Sequence, residues 1–154
     1  RLGIDFSTAG LVTTVWGIGV VAGALAGGRV MDKLGNKKAL WLSILLVIPA
    51  LGLLAVTSSK AMMWAVVVFF GIAYGDSQAI YFALAMKYTQ PAIAASMYSI
   101  LMAVTNIGQG IGLGVGGGLA KSAGYPTTFL IFGMVMLLII PFFPIIFSKR
   151  GQAA

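Results

Sequence analysis

The 154-residue chain has no cysteine and no histidine, and its three acidic residues are all aspartates. Without cysteine there are no disulfides and no thiolate metal ligands, and nothing marks a redox compartment. Without histidine and glutamate, most general acid/base pairs and metal constellations cannot be assembled. A serine hydrolase centred on Ser96 or Ser99 would have only a lysine for its base, so no catalytic residue, metal site or cofactor is expected. Charge is also scarce, at 8% of residues. That leaves too little polar surface to cover a water-soluble globule.

What is abundant is apolar: 60% of residues are hydrophobic and the mean hydropathy is +1.03. The solvent implied is lipid. A net charge of +7 raises the question of nucleic acid. The cations, however, fall between apolar runs and form no stripe interleaved with aromatics, so no nucleic-acid partner is expected. Five of the thirteen charged residues lie within 27–38, in the order Gly27-Gly28-Arg29-Val30-Met31-Asp32-Lys33-Leu34-Gly35-Asn36-Lys37-Lys38. We read this segment as a polar loop between two membrane spans, its glycines allowing a tight reversal and its lysines favouring the cytoplasmic face.

About 20 apolar residues at 1.5 Å each cross a hydrocarbon core of about 30 Å. On that measure the sequence predicts a single all-α transmembrane domain over 1–154, with five spans at about 9–30, 39–56, 60–87, 91–119 and 126–147. Ser7 or Thr8 is placed to cap the first. Pro49 is expected to bend the second. Ser58 and Ser59 precede the third, Pro91 opens the fourth and Pro126 the fifth, with Pro141 and Pro144 near its end. Short connections predict antiparallel sequence neighbours. Arg1 is not an initiating methionine and no signal peptide follows, so the chain reads as cut at its N-terminus.

With the 27–38 loop cytoplasmic, that side collects Arg29, Lys33, Lys37, Lys38, Lys87, Lys149 and Arg150, against Arg1, Lys60 and Lys121 outside. This bias places the fragment in the cell's plasma (inner) membrane as a multi-pass protein, N-terminus outside and C-terminus cytoplasmic. Trp41, Trp64 and Tyr125 fall near span ends, either as interfacial anchors or as ordinary lipid-facing aromatics.

The pattern Gly28-x-x-x-Asp32-Lys33-x-Gly35-Asn36-Lys37-Lys38 resembles the signature loop of the major facilitator superfamily, G-x-x-x-D-R/K-x-G-R/K-R/K, with Asn36 where a basic residue is usual. The resemblance covers essentially the whole chain. It implies five of the six helices of one half of a two-halved transporter, either the eighth to twelfth, which the tail 148–154 favours, or the second to sixth. It also implies a partner in the missing N-terminal half, a solute path between the halves, and a role for Asp32 in holding the closed cytoplasmic gate. The alternative for Asp32 is a merely solvated topogenic loop. Ala94-Ala95-Ser96-Met97-Tyr98-Ser99-Ile100-Leu101-Met102 and Asn106-Ile107-Gly108-Gln109 resemble, more faintly, the muropeptide and acetyl-CoA permease branch, in which a basic residue often stands at the position of Gln109.

Glycine rows mark close helix approach. The first span has Gly19-x-x-x-Gly23-x-x-x-Gly27. The fourth has Gly108-x-x-x-Gly112-x-x-x-Gly116 and a second row, Gly110, Gly114 and Gly118. In the resemblance these two spans touch the opposite half and move during alternating access; the alternative is that the rows pack the two spans together within one half.

Asp76 is the one acid inside a predicted span, and a carboxylate left in hydrocarbon costs at least ~2.5–3.5 kcal/mol on insertion scales. It must be neutral, paired or facing water. At 100° per residue Tyr74, Gln78 and Tyr81 share one stripe, with Asp76 about 160° away beside Phe69, Ala73, Ile80 and Ala83. Asn106 and Gln109 share a face of the fourth span. These six residues, Asp76, Tyr74, Gln78, Tyr81, Asn106 and Gln109, are candidates for a solute or proton path; as alternatives, Asp76 is structural and the amides join helices. The function expected is therefore secondary active transport of a small polar or amphiphilic solute by alternating access, driven by a proton gradient as a symporter or permease. The competing class is a membrane assembly module whose glycines only pack helices.

Overall fold

Apolar runs bounded by good capping residues set the helix limits. A computed structural model describes residues 5–138 and 140–142. Helix α1 is Phe6–Leu34, α2 Asn36–Val56, α3 Lys60–Lys87 and α4 Ala94–Leu137, with short 3-10 turns at Pro91–Ile93 and Ile140–Phe142. The structure begins α1 three residues earlier than expected, because Asp5 and not Ser7 or Thr8 is the cap. Its carboxylate accepts the Thr8 N–H at 3.4 Å and the Thr8 hydroxyl. Ser59 caps α3 as expected, accepting the Met62 N–H at 3.2 Å. The polar run Gly75-Asp76-Ser77-Gln78 interrupts the apolar character of α3 without interrupting the helix.

The 27–38 loop shrinks to one residue. α1 continues through Asp32 and Lys33 to Leu34, and α2 resumes at Asn36, leaving Gly35 alone between them at φ +76° and ψ +165°. A side chain at that φ is disfavoured, which is why a glycine stands there. The Gly35 N–H donates to Met31 O, and its own carbonyl accepts from the Ala39 N–H, both at 3.0 Å.

Four helices, not the expected five, are long and apolar enough to cross a bilayer among the described residues. The segments expected at 91–119 and 126–147 are joined as Pro91–Leu137, because Lys121, Ser122 and Ala123 are helical where a loop was expected. The 44 residues of α4 would extend about 66 Å if straight, more than twice the hydrocarbon core. The run is instead broken at Gly124, at φ +82° and ψ +159°, two residues before Pro126. A Cβ built on Gly116 would lie 3.2 Å from the ring of Phe132. Sixteen residues apart, those positions would be about 24 Å apart along a straight helix. The arms of α4 on either side of Gly124 therefore fold back on one another. The end of the last expected span, with Pro144, and the cations Arg1, Lys149 and Arg150 lie outside the described residues.

The buried core, Val47, Ala50 and Ala73, is built from α2 and α3 and flanked by Leu46, Leu51, Phe69, Phe70 and Met136, the last from the second arm of α4. α1 contributes only glycine to the buried set: Gly19, Gly23 and Gly27. It packs most extensively on α3 and not on its sequence neighbour α2. A Cβ at Gly23 would fall 2.0 Å from Ile72 O, and one at Gly75 would fall 2.0 Å from Val20 O. Gly19 faces Gly71, and Gly27 faces Asp76, so the contacts advance together along both chains and the two helices run parallel. Direct backbone contact of this kind needs a glycine at each point of approach, on one helix or the other. The Gly19 row is thus satisfied by α3, not by the fourth span.

Candidate functional site

Midway along α3, the Tyr74 hydroxyl receives two amide donors. Gln78, one turn on, donates from Nε2 at 2.8 Å, and Gln109, on the first arm of α4, donates from Nε2 at 2.7 Å. The Trp16 ring of α1 lies 5.5 Å from that of Tyr74, tilted by 48°, and the Phe70 ring lies 6.3 Å from it. Three helices therefore converge on one phenol. The Tyr74–Gln78 stripe is visible in the sequence from the helical period, whereas the long-range partner Gln109 and the Trp16 wall are not. Trp16 left one signal, an indole in the middle of a span and not near its end.

Not every candidate joins this group. Tyr81 is 42% exposed and packs edge-on against Phe82 at 5.3 Å, which in turn reaches Tyr98 of α4 at 5.7 Å. Asn106 is exposed one turn before Gln109 and outside the Tyr74 hydrogen bonds.

Asp76 occupies the opposite face of α3, beside the buried Ala73 and Ile80. It is 2% exposed and sits where α1, α2 and α3 meet. A Cβ on Gly27 would fall 2.8 Å from its Oδ1, so the glycine is what admits the carboxyl to this position. Ser43 of α2, equally buried, is its hydrogen-bonding neighbour, and Oδ2 has no hydrogen-bond partner among the described residues. Ser43 and Gly27 as companions of Asp76 were not foreseen, because they come from two other helices.

At the Gly35 turn, Gly28 is helical, and Asp32, Lys33, Lys37 and Lys38 are all exposed. Asp32 makes no ion pair with Lys33, Lys37, Lys38 or Lys87 among the described residues. Lys33 lies in the last turn of α1, where a cation suits the helix dipole. Lys37 and Lys38 lie in the first turn of α2, with no acid to offset them. There the dipole disfavours cations by roughly 0.3–1 kcal/mol each. Helix stability therefore does not explain their placement.

The glycines of α4 differ from those of α1. A Cβ at Gly108, Gly110, Gly112, Gly114 or Gly118 would meet nothing within 4 Å, and Gly116 alone of the two rows faces a side chain, Phe132.

Apolar helices joined by a one-residue basic turn, a glycine-mediated parallel pair and a polar cluster at mid-span are the frame in which the family comparison falls. The profile of the Major Facilitator Superfamily matches residues 1–153. The chain belongs to the Major Facilitator Superfamily. It is accordingly a multi-pass membrane protein of a transporter family, and members of that superfamily are transporters, not enzymes. The match is to the superfamily and names no branch within it. Searches of the curated proteins and of the solved structures gave no match.

Proposed function

We propose that this superfamily member is one half of a proton-driven secondary carrier, its solute path bordered by Tyr74, Gln78 and Gln109 and completed by the other half of the transporter. The two arms of α4 are successive passes, the Gly35 turn faces the cytoplasm of a plasma-membrane protein, and the fragment's N-terminus is external. Asp76, set apart from the solute group, carries the coupling proton, and Asp32, exposed and without an ion pair among the described residues, meets its gate partner in the other half. The observation that carries the reading is the bond from Gln109 to Tyr74. It holds a polar group at mid-span on a helix arm whose outer face is open, where hydrocarbon alone would leave it uncompensated.

The test is solute uptake by the full-length carrier in vesicles under an imposed proton gradient. Asp76→Asn is expected to reduce gradient-driven accumulation more than tenfold while sparing solute exchange without a gradient; undiminished accumulation removes Asp76 as the coupling group. The competing reading, an assembly module, is favoured by the α1–α3 glycine contacts. Absence of any uptake by the intact protein would establish it in place of the carrier.

A further inference from the structure

We propose that the outer face of α2 is a seat for one anionic phospholipid, its headgroup between Lys37 and Lys38 and an acyl chain along Trp41 and Leu45. Helical period sets the face. Ala39, Ser43 and Val47 turn into the bundle and are buried, and at 100° per residue Trp41 lies about 160° from Ser43. Lys37, Trp41, Leu45 and Pro49, each four residues from the last, are all exposed on that other side. Lys38 is exposed as well. The two lysines fall about 40° and 60° to either side of Trp41, one turn nearer the Gly35 end. Along the axis Trp41 lies about 6 Å and Leu45 about 12 Å beyond Lys37. Charge, indole and aliphatic chain therefore succeed one another in the order in which a bilayer presents headgroup, interface and hydrocarbon.

Charge and bulk choose the occupant. Residues 29–38 hold four cations, Arg29, Lys33, Lys37 and Lys38, against one carboxylate, Asp32, which makes no ion pair among the described residues. The parallel course of α1 and α3 brings Lys87 to the same end of the bundle. Lys37 and Lys38 are opposed by the dipole of their own helix, and no acid in its first turn offsets them. The phosphodiester of a lipid supplies the missing negative charge, and clustered cations at a membrane surface draw acidic lipids. Below the lysines the face is bulky: Leu45 and Val56 are each more than half exposed. The one glycine of α2, Gly52, has nothing within 4 Å. Helices that pack on other helices in lipid meet through small residues, so this face suits an acyl chain and not a neighbouring span.

The test uses the full-length protein in phosphatidylcholine bilayers containing a minor fraction of dibrominated lipid, either phosphatidylglycerol or phosphatidylcholine. Bromine quenches an indole that it touches, and the emission of Trp41 is the difference between the protein and its Trp41→Phe variant. Dibrominated phosphatidylglycerol is expected to quench Trp41 with an apparent affinity about tenfold above that of dibrominated phosphatidylcholine, the scale of two surface cations. Lys37→Gln combined with Lys38→Gln is expected to bring the two lipids within twofold, while Lys60→Gln, at the opposite end of α3, keeps the preference. Equal quenching by both lipids in the parent protein, no quenching of Trp41 by either, or a preference that survives loss of both lysines overturns the seat. Inorganic phosphate at matched ionic strength is expected to leave the quenching unchanged; displacement would make the ligand a free anion and overturn the lipid. If Trp41→Phe fails to elute as a monodisperse protein, native mass spectrometry carries the test: the double lysine variant should retain one phosphatidylglycerol fewer, and an unchanged count overturns the seat. None of these readouts requires transport, so the seat stands or falls apart from the carrier proposal.

Discussion

At the scale of single residues, glycines of one sequence pattern divide into two physical classes. At Gly23 and Gly75 an added methyl meets a backbone carbonyl oxygen at 2.0 Å, and a backbone cannot rotate out of the way. Gly23→Ala and Gly75→Ala are each expected to cost about 1–3 kcal/mol or more, read as a lowered melting temperature in detergent. Gly112→Ala, with nothing within 4 Å, is expected to stay within about 0.5 kcal/mol of the parent in the same assay. Equal effects at the three positions would contradict the contact between α1 and α3. The spacing of four was readable in the sequence, but what each row faces was not, because the row that meets α1, Gly71 and Gly75, is on a different helix, α3, and has only two members.

Asp5 gives a second expectation at this scale. Its hydrogen bond from the Thr8 side chain, together with backbone donors, holds its carboxyl below the ordinary carboxylate value. A group depressed on folding stabilises the folded form above its unfolded pKa and loses that contribution as pH falls through the lower, folded value. The first turn of α1 is therefore expected to stay closed at neutral pH and to fray in strong acid, seen as faster amide exchange at Thr8 and Ala9. Asp5→Asn should remove that acid dependence.

At the scale of elements, the start of α3 at Ser59 and the opening of the next segment at Pro91 were legible, since caps and prolines act locally. The Gly35 turn was overestimated because Arg29, Asp32 and Lys33 are no obstacle to a helix, and only Gly35, at positive φ, leaves the helical conformation. The junction at 120–125 was misread for the converse reason: a single glycine at positive φ achieves the break that a loop was expected to make. The fold-back of α4 is directly testable, because the chain has no cysteine to interfere. Gly116→Cys combined with Phe132→Cys should crosslink readily under mild oxidation, and the pair Ile107→Cys with Phe132→Cys should not. Failure of the first pair with success of the second would overturn the placement of the arms. Gly124→Ala, which forces a Cβ into a conformation open mainly to glycine, is expected to cost about 1–3 kcal/mol and to slow that crosslink.

At the scale of the whole molecule, lipid as solvent and the family could be read from composition and one motif, whereas helix partnership could not. Partnership depends on which faces meet, and in a membrane span nearly every face is apolar, so the amphipathic stripe that orients a soluble helix is missing. The exceptions were the polar positions: Tyr74 with Gln78, and Asp76 on the other side, separated by helical period alone. The cationic turn gives the matching prediction. In right-side-out vesicles, Lys37→Cys should resist a membrane-impermeant thiol reagent until the membrane is opened, while Lys60→Cys should react at once; the reverse order would invert the molecule.

The seam between α1 and α3 also limits how this part of the protein can change shape. Where carbonyl lies against glycine, at Gly19, Gly23, Gly71 and Gly75, no side chain stands between the helices and there is no layer of rotamers to slip. Two rods so joined are expected to tilt as a single plank and not to shear, so any passage that opens and shuts is expected along the plank's edges, where the first arm of α4 meets α3 through Gln109 on Tyr74 and Tyr98 on Phe82.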